Sequence, residues 1–343
     1  MYKLYSLYYS KIAVFRALQI GDLLCAIPAI RAIKSSFPES NITLIGLPWA
    51  ANFVKRFSNY FSSFMLFPGY PGLPEQPFDY QKFSTFLKEA NYHQFDLLMQ
   101  MQGNGSIVNP LMAMLGASEV AGFKEPLGYA PDNNLFLEYP DHLHEIERHL
   151  ALVQHLGVPS KGTFLEFPVM DEEKLEFEIL NAELGLRLKQ YVIIHPGARD
   201  NKRWWSPEKF AKAADYMHEK GYTILLTGTE IESLTVNQVA SLMKAPSINL
   251  CGKTNLGVLA ELIRHAKLLL SNDTGVSHIA AAMRTPSVVI FLTSDPARWA
   301  PLDKNLHRVI LPAESENLGF VIESMEKAIC EPEWALQNSF YSN

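Results

Sequence analysis

Two hydrophobic patterns alternate along the chain. Short, nearly unbroken apolar runs are followed by longer stretches in which apolar residues recur every three or four positions. The first pattern suits a strand buried on both faces, the second an amphipathic helix. Lys11-Ile-Ala-Val-Phe-Arg-Ala-Leu18 reads as a strand, Gly21-Asp22 as a turn, Leu23 to Ser36 as a helix, and Asn41-Ile-Thr-Leu-Ile-Gly46 as a second strand. That succession is a βαβ unit, which implies a parallel sheet. Phe95-Asp-Leu-Leu-Met99 reads as a further strand, with Gly103-Asn-Gly105 opening a loop behind it. Phe61 to Phe78, rich in Pro, Gly and aromatics, reads as a loop and a candidate lid. Asp141 to Leu156 has helical periodicity and stops at Gly157.

The second half repeats the alternation more clearly. Strands are expected at Tyr191–Ile194, Thr223–Leu226, Ser247–Leu250, Leu268–Leu270 and Ser287–Phe291, and helices at Pro207–Lys220, Glu230–Met243, Leu256–Ala266 and Val276–Met283. With 343 residues the chain exceeds what one hydrophobic core accommodates. The expected α/β architecture is two Rossmann-like, doubly wound parallel-sheet domains facing a cleft: 1–165, a 166–188 linker, and 189–319.

Composition narrows the function. Hydrophobic residues at 48% and charged residues at 19% describe an ordinary globular protein. A net charge of −6 argues against a general nucleic-acid binder. Cys25, Cys251 and Cys330 are far apart and show no metal-ligand spacing, which fits a reducing compartment. No apolar run reaches the roughly 18 residues of a membrane span. The N-terminal residues read as a lead-in to the first strand, and the expectation is a cytoplasmic protein with room for peripheral contact at the inner membrane.

In open parallel sheets, ligands sit beyond the carboxyl ends of the strands. After Tyr191–Ile194 comes His195-Pro-Gly-Ala-Arg-Asp-Asn-Lys202-Arg203-Trp204. Gly197 and Ala198 are small enough for backbone amides to approach a ligand, while Arg199, Lys202 and Arg203 bring positive charge. The combination suits a departing diphosphate, and a solvated basic loop is the plainer alternative. After Leu268–Leu270, Asp273 or Thr274 can cap the next helix and Gly275 keeps its first turn open towards an anion. Thr274 and His278 share one helix face there; the alternative is a capped helix with a satisfied buried histidine. Either Glu230 or Glu232, past Thr223–Leu226, is placed for ribose hydroxyls or merely for the helix dipole. Asp22, after the first strand, is placed for a general base, or for a helix cap.

Missing motifs exclude other chemistries. No Gly-x-Gly-x-x-Gly follows the first strand, and Gly252-Lys253-Thr254 lacks the leading glycine of a Walker loop, Ser247 standing in its place. There is no Asp-x-Asp to hold a divalent metal and no Gly-x-Ser-x-Gly elbow.

The spaced segments Gly21-Asp22-Leu-Leu-Cys-Ala-Ile-Pro28-Ala-Ile-Arg31, Gln102-Gly103, His144-Glu-Ile-Glu147-Arg148, His195-Pro-Gly-Ala198 with Lys202-Arg-Trp204, Asn272-Asp-Thr-Gly275 with His278, and Asp295-Pro-Ala-Arg-Trp299-Ala-Pro301 together resemble the bacterial heptosyltransferases of glycosyltransferase family 9. The resemblance implies a GT-B fold and an inverting, metal-independent transfer of a sugar. The donor would be a nucleotide diphosphate sugar, ADP-heptose favoured, and the acceptor a glycan or glycolipid such as the lipopolysaccharide core. It implies Asp22 as base, Lys202 as diphosphate ligand, and Asp273, Thr274, Gly275 and His278 as the donor loop, with Gly197 and Ala198 beside the phosphates. Glu232 is preferred for the ribose, with Glu230 the fallback. Gln102, Asn104 and Arg148 are expected on the acceptor side, and no cofactor is implied. The resemblance also implies that Phe320 to Asn343 crosses back onto the first domain. Arg31, Lys34, Lys55 and Arg56 are the main basic cluster of the first domain. A nucleotide-sugar epimerase of the same architecture would need further acid/base carboxylates; a non-catalytic nucleotide-sugar-binding module would not need Asp22 and Lys202 together.

Overall fold

The computed structural model describes residues 9–330, which divide into two compact units with the boundary between Pro168 and Val169. The N-terminal lead-in up to residue 8, and 331–343 of the expected crossing segment, lie outside the described residues.

The first unit runs β1 (Lys11–Phe15), α1 (Ile20–Ser36), β2 (Asn41–Gly46), α2 (Ala50–Arg56), β3 (Ser63–Leu66), α3 (Tyr80–His93), β4 (Leu97–Gln100), α4 (Val108–Ala113), β5 (Glu119–Lys124), β6 (Phe136–Glu138) and α5 (Glu145–His155). Its six strands are parallel, in the order β3-β2-β1-β4-β5-β6. Val14 is paired with Leu44 on one side and Met99 on the other, so the apolar run of β1 lies in the middle of the sheet and is buried on both faces. β3 interrupts the stretch expected to be a loop. It is too short for a period to show, and it joins β2 in register, Met65 opposite Ile45.

The second unit runs α6 (Asp171–Leu184), β7 (Tyr191–His195), α7 (Pro207–Glu219), β8 (Thr223–Leu226), α8 (Ser233–Leu242), β9 (Ile248–Asn249), α9 (Leu256–His265), β10 (Leu268–Asn272), α10 (Gly275–Ala282), β11 (Ser287–Ile290), α11 (Pro296–Trp299), β12 (His307–Ile310), α12 (Pro312–Ser315) and α13 (Leu318–Cys330). The six parallel strands are ordered β12-β11-β10-β7-β8-β9. Much of 166–188, expected as a linker, is α6. It packs on α9, so closely that a Cβ on Gly257 would lie 1.9 Å from Glu173 Cδ. α13 buries Val321, Met325 and Ala328 in the core of the second unit with Met217, Val288, Ile290 and Ile310. As far as Cys330, therefore, the apolar stripe of the chain's last described helix is used in the core of the second unit.

The basic cluster of the first unit is largely occupied. Arg31 is ion-paired with Glu166, donates to the carbonyls of Gly162 and Phe164 (3.1 and 3.0 Å), and stacks on the Phe164 ring. Arg56 donates to the carbonyl of Pro168 at 2.7 Å and lies over Phe167, while Tyr60 donates to Glu166 at 2.8 Å. Lys34 donates to the carbonyl of Ser40 at 2.8 Å. These side chains clamp residues 162–168 onto the first unit.

Candidate active site

Both sheets reverse direction of winding at one place, between β1 and β4 in the first unit and between β7 and β10 in the second. At such a point the loops leave in opposite directions and open a crevice at the strand carboxyl ends. Most of the candidates fall at these two edges; Arg148, in α5, and Glu230, after β8, do not.

In the second unit, β7 ends in His195 and the chain passes through Gly197 and Ala198, both buried, to the exposed side chains of Arg199 and Lys202. The Asp200 side chain accepts from the Lys202 amide at 3.0 Å and fixes a short 3-10 turn over Asn201–Arg203. Neither Arg199 nor Lys202 has an acidic partner among the described residues, whereas Arg203 reaches Asp273 Oδ2 at 3.4 Å. Asn272, at the end of β10, ties the two loops together. Its Nδ2 donates to the carbonyl of Pro196 (2.7 Å) and its Oδ1 accepts from the amide of Trp205 (3.0 Å).

Thr274 is the N-cap of α10, and its hydroxyl makes no capping bond, which leaves first-turn amides for a ligand. Asp273 does not cap the helix. Buried, its carboxylate instead accepts from Ser294 and Arg203, fixing the loop from below. Gly275 opens the helix, and His278 is buried one turn further on.

Glu232 accepts from both the amide and the hydroxyl of Thr229, at 2.7 and 2.8 Å. Its carboxylate folds over the β7 loop so tightly that a Cβ on Gly197 would come within 2.3 Å of Cδ. Glu230 is exposed and lies instead against Gly252. Of the two, only Glu232 meets the glycine loop. His195 faces Glu232 at 4.0 Å and contacts Thr227 Oγ1 at 3.0 Å; burial holds its imidazole below the usual histidine range, against the pull of the Glu232 charge.

In the first unit, α1 starts at Ile20, before the expected Leu23, so Asp22 stands inside the first turn. Its Oδ2 accepts from the Gln19 amide at 3.2 Å, the reciprocal half of a capping box, while the carboxylate remains partly exposed at 23%. Behind it lies Arg16, 1% exposed, which donates to the carbonyls of Asp22 (2.8 Å) and Met101 and to Glu145 Oε1 (3.0 Å). Arg16 Nη2 is 3.8 Å from Asp22 Oδ1.

The acceptor-side candidates separate. Gln102 is buried after β4: its Oε1 accepts from the Ala17 amide at 2.7 Å, while its Nε2 has no partner. Asn104 is half-buried, accepts from Ser106 and donates to Glu125 at 2.5 Å. Arg148 is fully buried. It is bonded to Glu145 and to the carbonyls of Pro140, Asp141 and Leu143, and lies over the Tyr139 ring, so four of its five N–H donors are engaged inside the unit. Arg148 thus braces the inside of the unit. Arg16, Glu145 and Asn272 were not singled out from the sequence. The one available signal for Arg16 was a charge inside an otherwise apolar strand run.

Two parallel, doubly wound units with candidate loops at their switch points make the GT-B fold. The family model described as glycosyltransferase family 9 (heptosyltransferase) matches residues 84–329, and the chain belongs to that family. It is 26% identical over 295 residues to lipopolysaccharide heptosyltransferase 3 of Escherichia coli K12, an alignment covering 83% of each protein. A second Escherichia coli lipopolysaccharide heptosyltransferase 3 is 33% identical over 166 residues; that match spans 47% of this chain and about half (48%) of the relative's length. The solved structure of Escherichia coli ADP-heptose lps heptosyltransferase II shares the fold, with a TM-score of 0.73 at 19% identity over 96% of this chain and 99% of that one.

Proposed function

We propose that this glycosyltransferase moves a heptose from ADP-heptose to a lipopolysaccharide-core acceptor, with inversion and without a divalent metal. The observation that carries the reading is the edge of β7 and β10. Two cations, Arg199 and Lys202, stand without acidic partners among the described residues beside the buried Gly197–Ala198 loop, and the opposite loop carries the start of α10, where Thr274 makes no side-chain cap. Such an edge holds a dianionic leaving group and gains strength as charge develops on it. The relatives' names supply the sugar and the acceptor class.

In the proposed reaction the acceptor hydroxyl oxygen attacks the anomeric carbon from the face opposite the nucleotide. The bond to the phosphate oxygen breaks, its electron pair stays on the diphosphate, and the hydroxyl proton passes to Asp22. Lys202, Arg199 and the amides of Thr274–Gly275 meet the diphosphate, and Glu232 the ribose. Gln102 and Asn104 remain the acceptor-side contacts. The reaction is placed in the cytoplasm, with peripheral contact at the inner face of the membrane.

Calorimetric titration with ADP, UDP and GDP in chelator tests this directly. Selective ADP binding supports the donor, and turnover of ADP-heptose with a core acceptor under the same conditions completes the case. Selective UDP or GDP binding overturns the ADP-heptose assignment, and binding only with a divalent ion overturns the metal-free mechanism.

A further inference from the structure

The motif His144-Glu-Ile-Glu-Arg148 has no place in the reaction above, yet His144, Glu145 and Arg148 are among the most deeply buried polar groups of the first unit. Glu145, 3% exposed, receives Arg16 on Oε1 at 3.0 Å and Arg148 on Oε2. His149 Nε2 lies 3.3 Å from the same Oε1, without hydrogen-bond geometry. Burial, reinforced by the positive charge of Arg16, pulls the His149 pKa down to about 4, so the ring is neutral at pH 7. The formal charges of the cluster are therefore two guanidiniums against one carboxylate. The excess positive charge lies on the side of Asp22, with Arg16 Nη2 3.8 Å from Asp22 Oδ1.

Arg16 also has a mechanical role. Its Nε holds the carbonyl of Asp22 at 2.8 Å and its Nη1 the carbonyl of Met101, so one planar group spans the two loops of the switch point, after β1 and after β4. A guanidinium in a fixed plane can do this; a lysine, whose three N–H donors leave one nitrogen on a flexible stem, cannot reproduce that planar spread. α5 is the wall that aims it, because Glu145 is held in turn by Arg148, itself bonded to three carbonyls.

We infer that Arg16 is a positioning residue for Asp22, and that Glu145 and Arg148 form the buried relay that fixes Arg16. The inference rests on Asp22 being the base, deepens that reading, and gives the His-Glu-x-x-Arg segment its task. A charged network retained inside a protein costs desolvation that apolar packing would avoid. Here the compensation is orientation of one carboxylate beside an otherwise apolar β1–β4 core.

A double-mutant cycle tests it, with Arg16→Lys, Glu145→Gln and Asp22→Asn made singly and in pairs in the full chain. For each variant, kcat and donor KM are measured alongside thermal unfolding and ADP titration. Arg16→Lys is expected to lower kcat by about a hundredfold, the scale of a roughly 1 Å misplacement, with donor KM and ADP affinity unchanged. Glu145→Gln is expected to lower kcat in the same way, less steeply. In the Asp22→Asn background neither change lowers the residual rate further, because their effect passes through the missing carboxylate. Equal losses in both backgrounds, or normal kcat in folded Arg16→Lys and Glu145→Gln proteins, overturn the positioning role while leaving Asp22 untouched. Normal turnover of Asp22→Asn itself overturns the base assignment instead. Should Arg16→Lys unfold, Glu145→Gln, isosteric and retaining a hydrogen-bonding side chain, decides the question by the same criterion.

Discussion

The two switch-point edges have the same topology and opposite electrostatics. At the first, the cation is inside: Arg16 is sealed behind Asp22, and the group that reaches solvent is a carboxylate. At the second the order is reversed. A carboxylate, Asp273, is sealed behind Arg203 and Ser294, and the groups reaching solvent are Arg199 and Lys202. One edge thus exposes a carboxylate and the other two cations, although both are made from strand ends and the loops and helix starts that follow them. The fold fixes where chemistry can occur, and the sign of the buried charge decides which chemistry it is.

The sharpest break in this comparison is Asp22→Asn. Loss of the base is expected to lower kcat by about a thousandfold with ADP affinity unchanged, checked by turnover and titration on the same preparation. A parallel loss of ADP affinity would mean that the two edges do not divide the labour.

Acid stability comes next. His149 in the first unit and His307 in the second are both held at about 4 by burial, against about 6.5 when unfolded. Each depressed histidine contributes stability that is complete above pH 6.5 and is lost as the pH falls from there towards 4, where protonation favours the unfolded chain. The loss is on the order of 3 kcal/mol for each by pH 4. Unfolding of His307→Gln followed across that range should show a shallower slope than the parent protein. An unchanged slope would mean that another group controls acid unfolding.

At the second edge, Lys202→Ala is expected to weaken ADP binding by about thirtyfold through loss of a charge-assisted contact, read by calorimetry, with unfolding temperature unchanged. Gly197→Ala is the finest probe. Its methyl must displace the Glu232 carboxylate, and ADP affinity is expected to fall by about tenfold. Adenine-free pyrophosphate should bind that variant normally if Glu232 serves the ribose.

Much of this was legible in the sequence because it is local. β2 and β8 match the apolar runs residue for residue, and the candidate loops follow β1, β7 and β10 as parallel topology requires. Other elements were hidden for identifiable reasons. α6 buries little more than Glu173 and Phe177, too thin a stripe to stand out from a linker. α3 buries only Phe86 and Ala90 and is likewise polar over most of its surface. The support beneath Asp22 was illegible in principle: Arg16 and Glu145 are separated by 129 positions, and no local period reports a pairing made across the sheet. The surroundings of Arg148 were hidden for the same reason, since a lone arginine in sequence does not disclose that five protein groups already surround it.

The clamp on residues 162–168 has a consequence for how such chains can be recombined. Arg31, Arg56 and Tyr60 hold their partners from a distance in sequence, so those residues are inherited usefully only together with Glu166 and Pro168. A chimaera spliced after Pro168 carries the whole arrangement with its first unit and exchanges the second unit as a cassette. A splice at Lys161 would separate two arginines and a tyrosine from everything they hold, and graft a mismatched strap onto a surface built for this one.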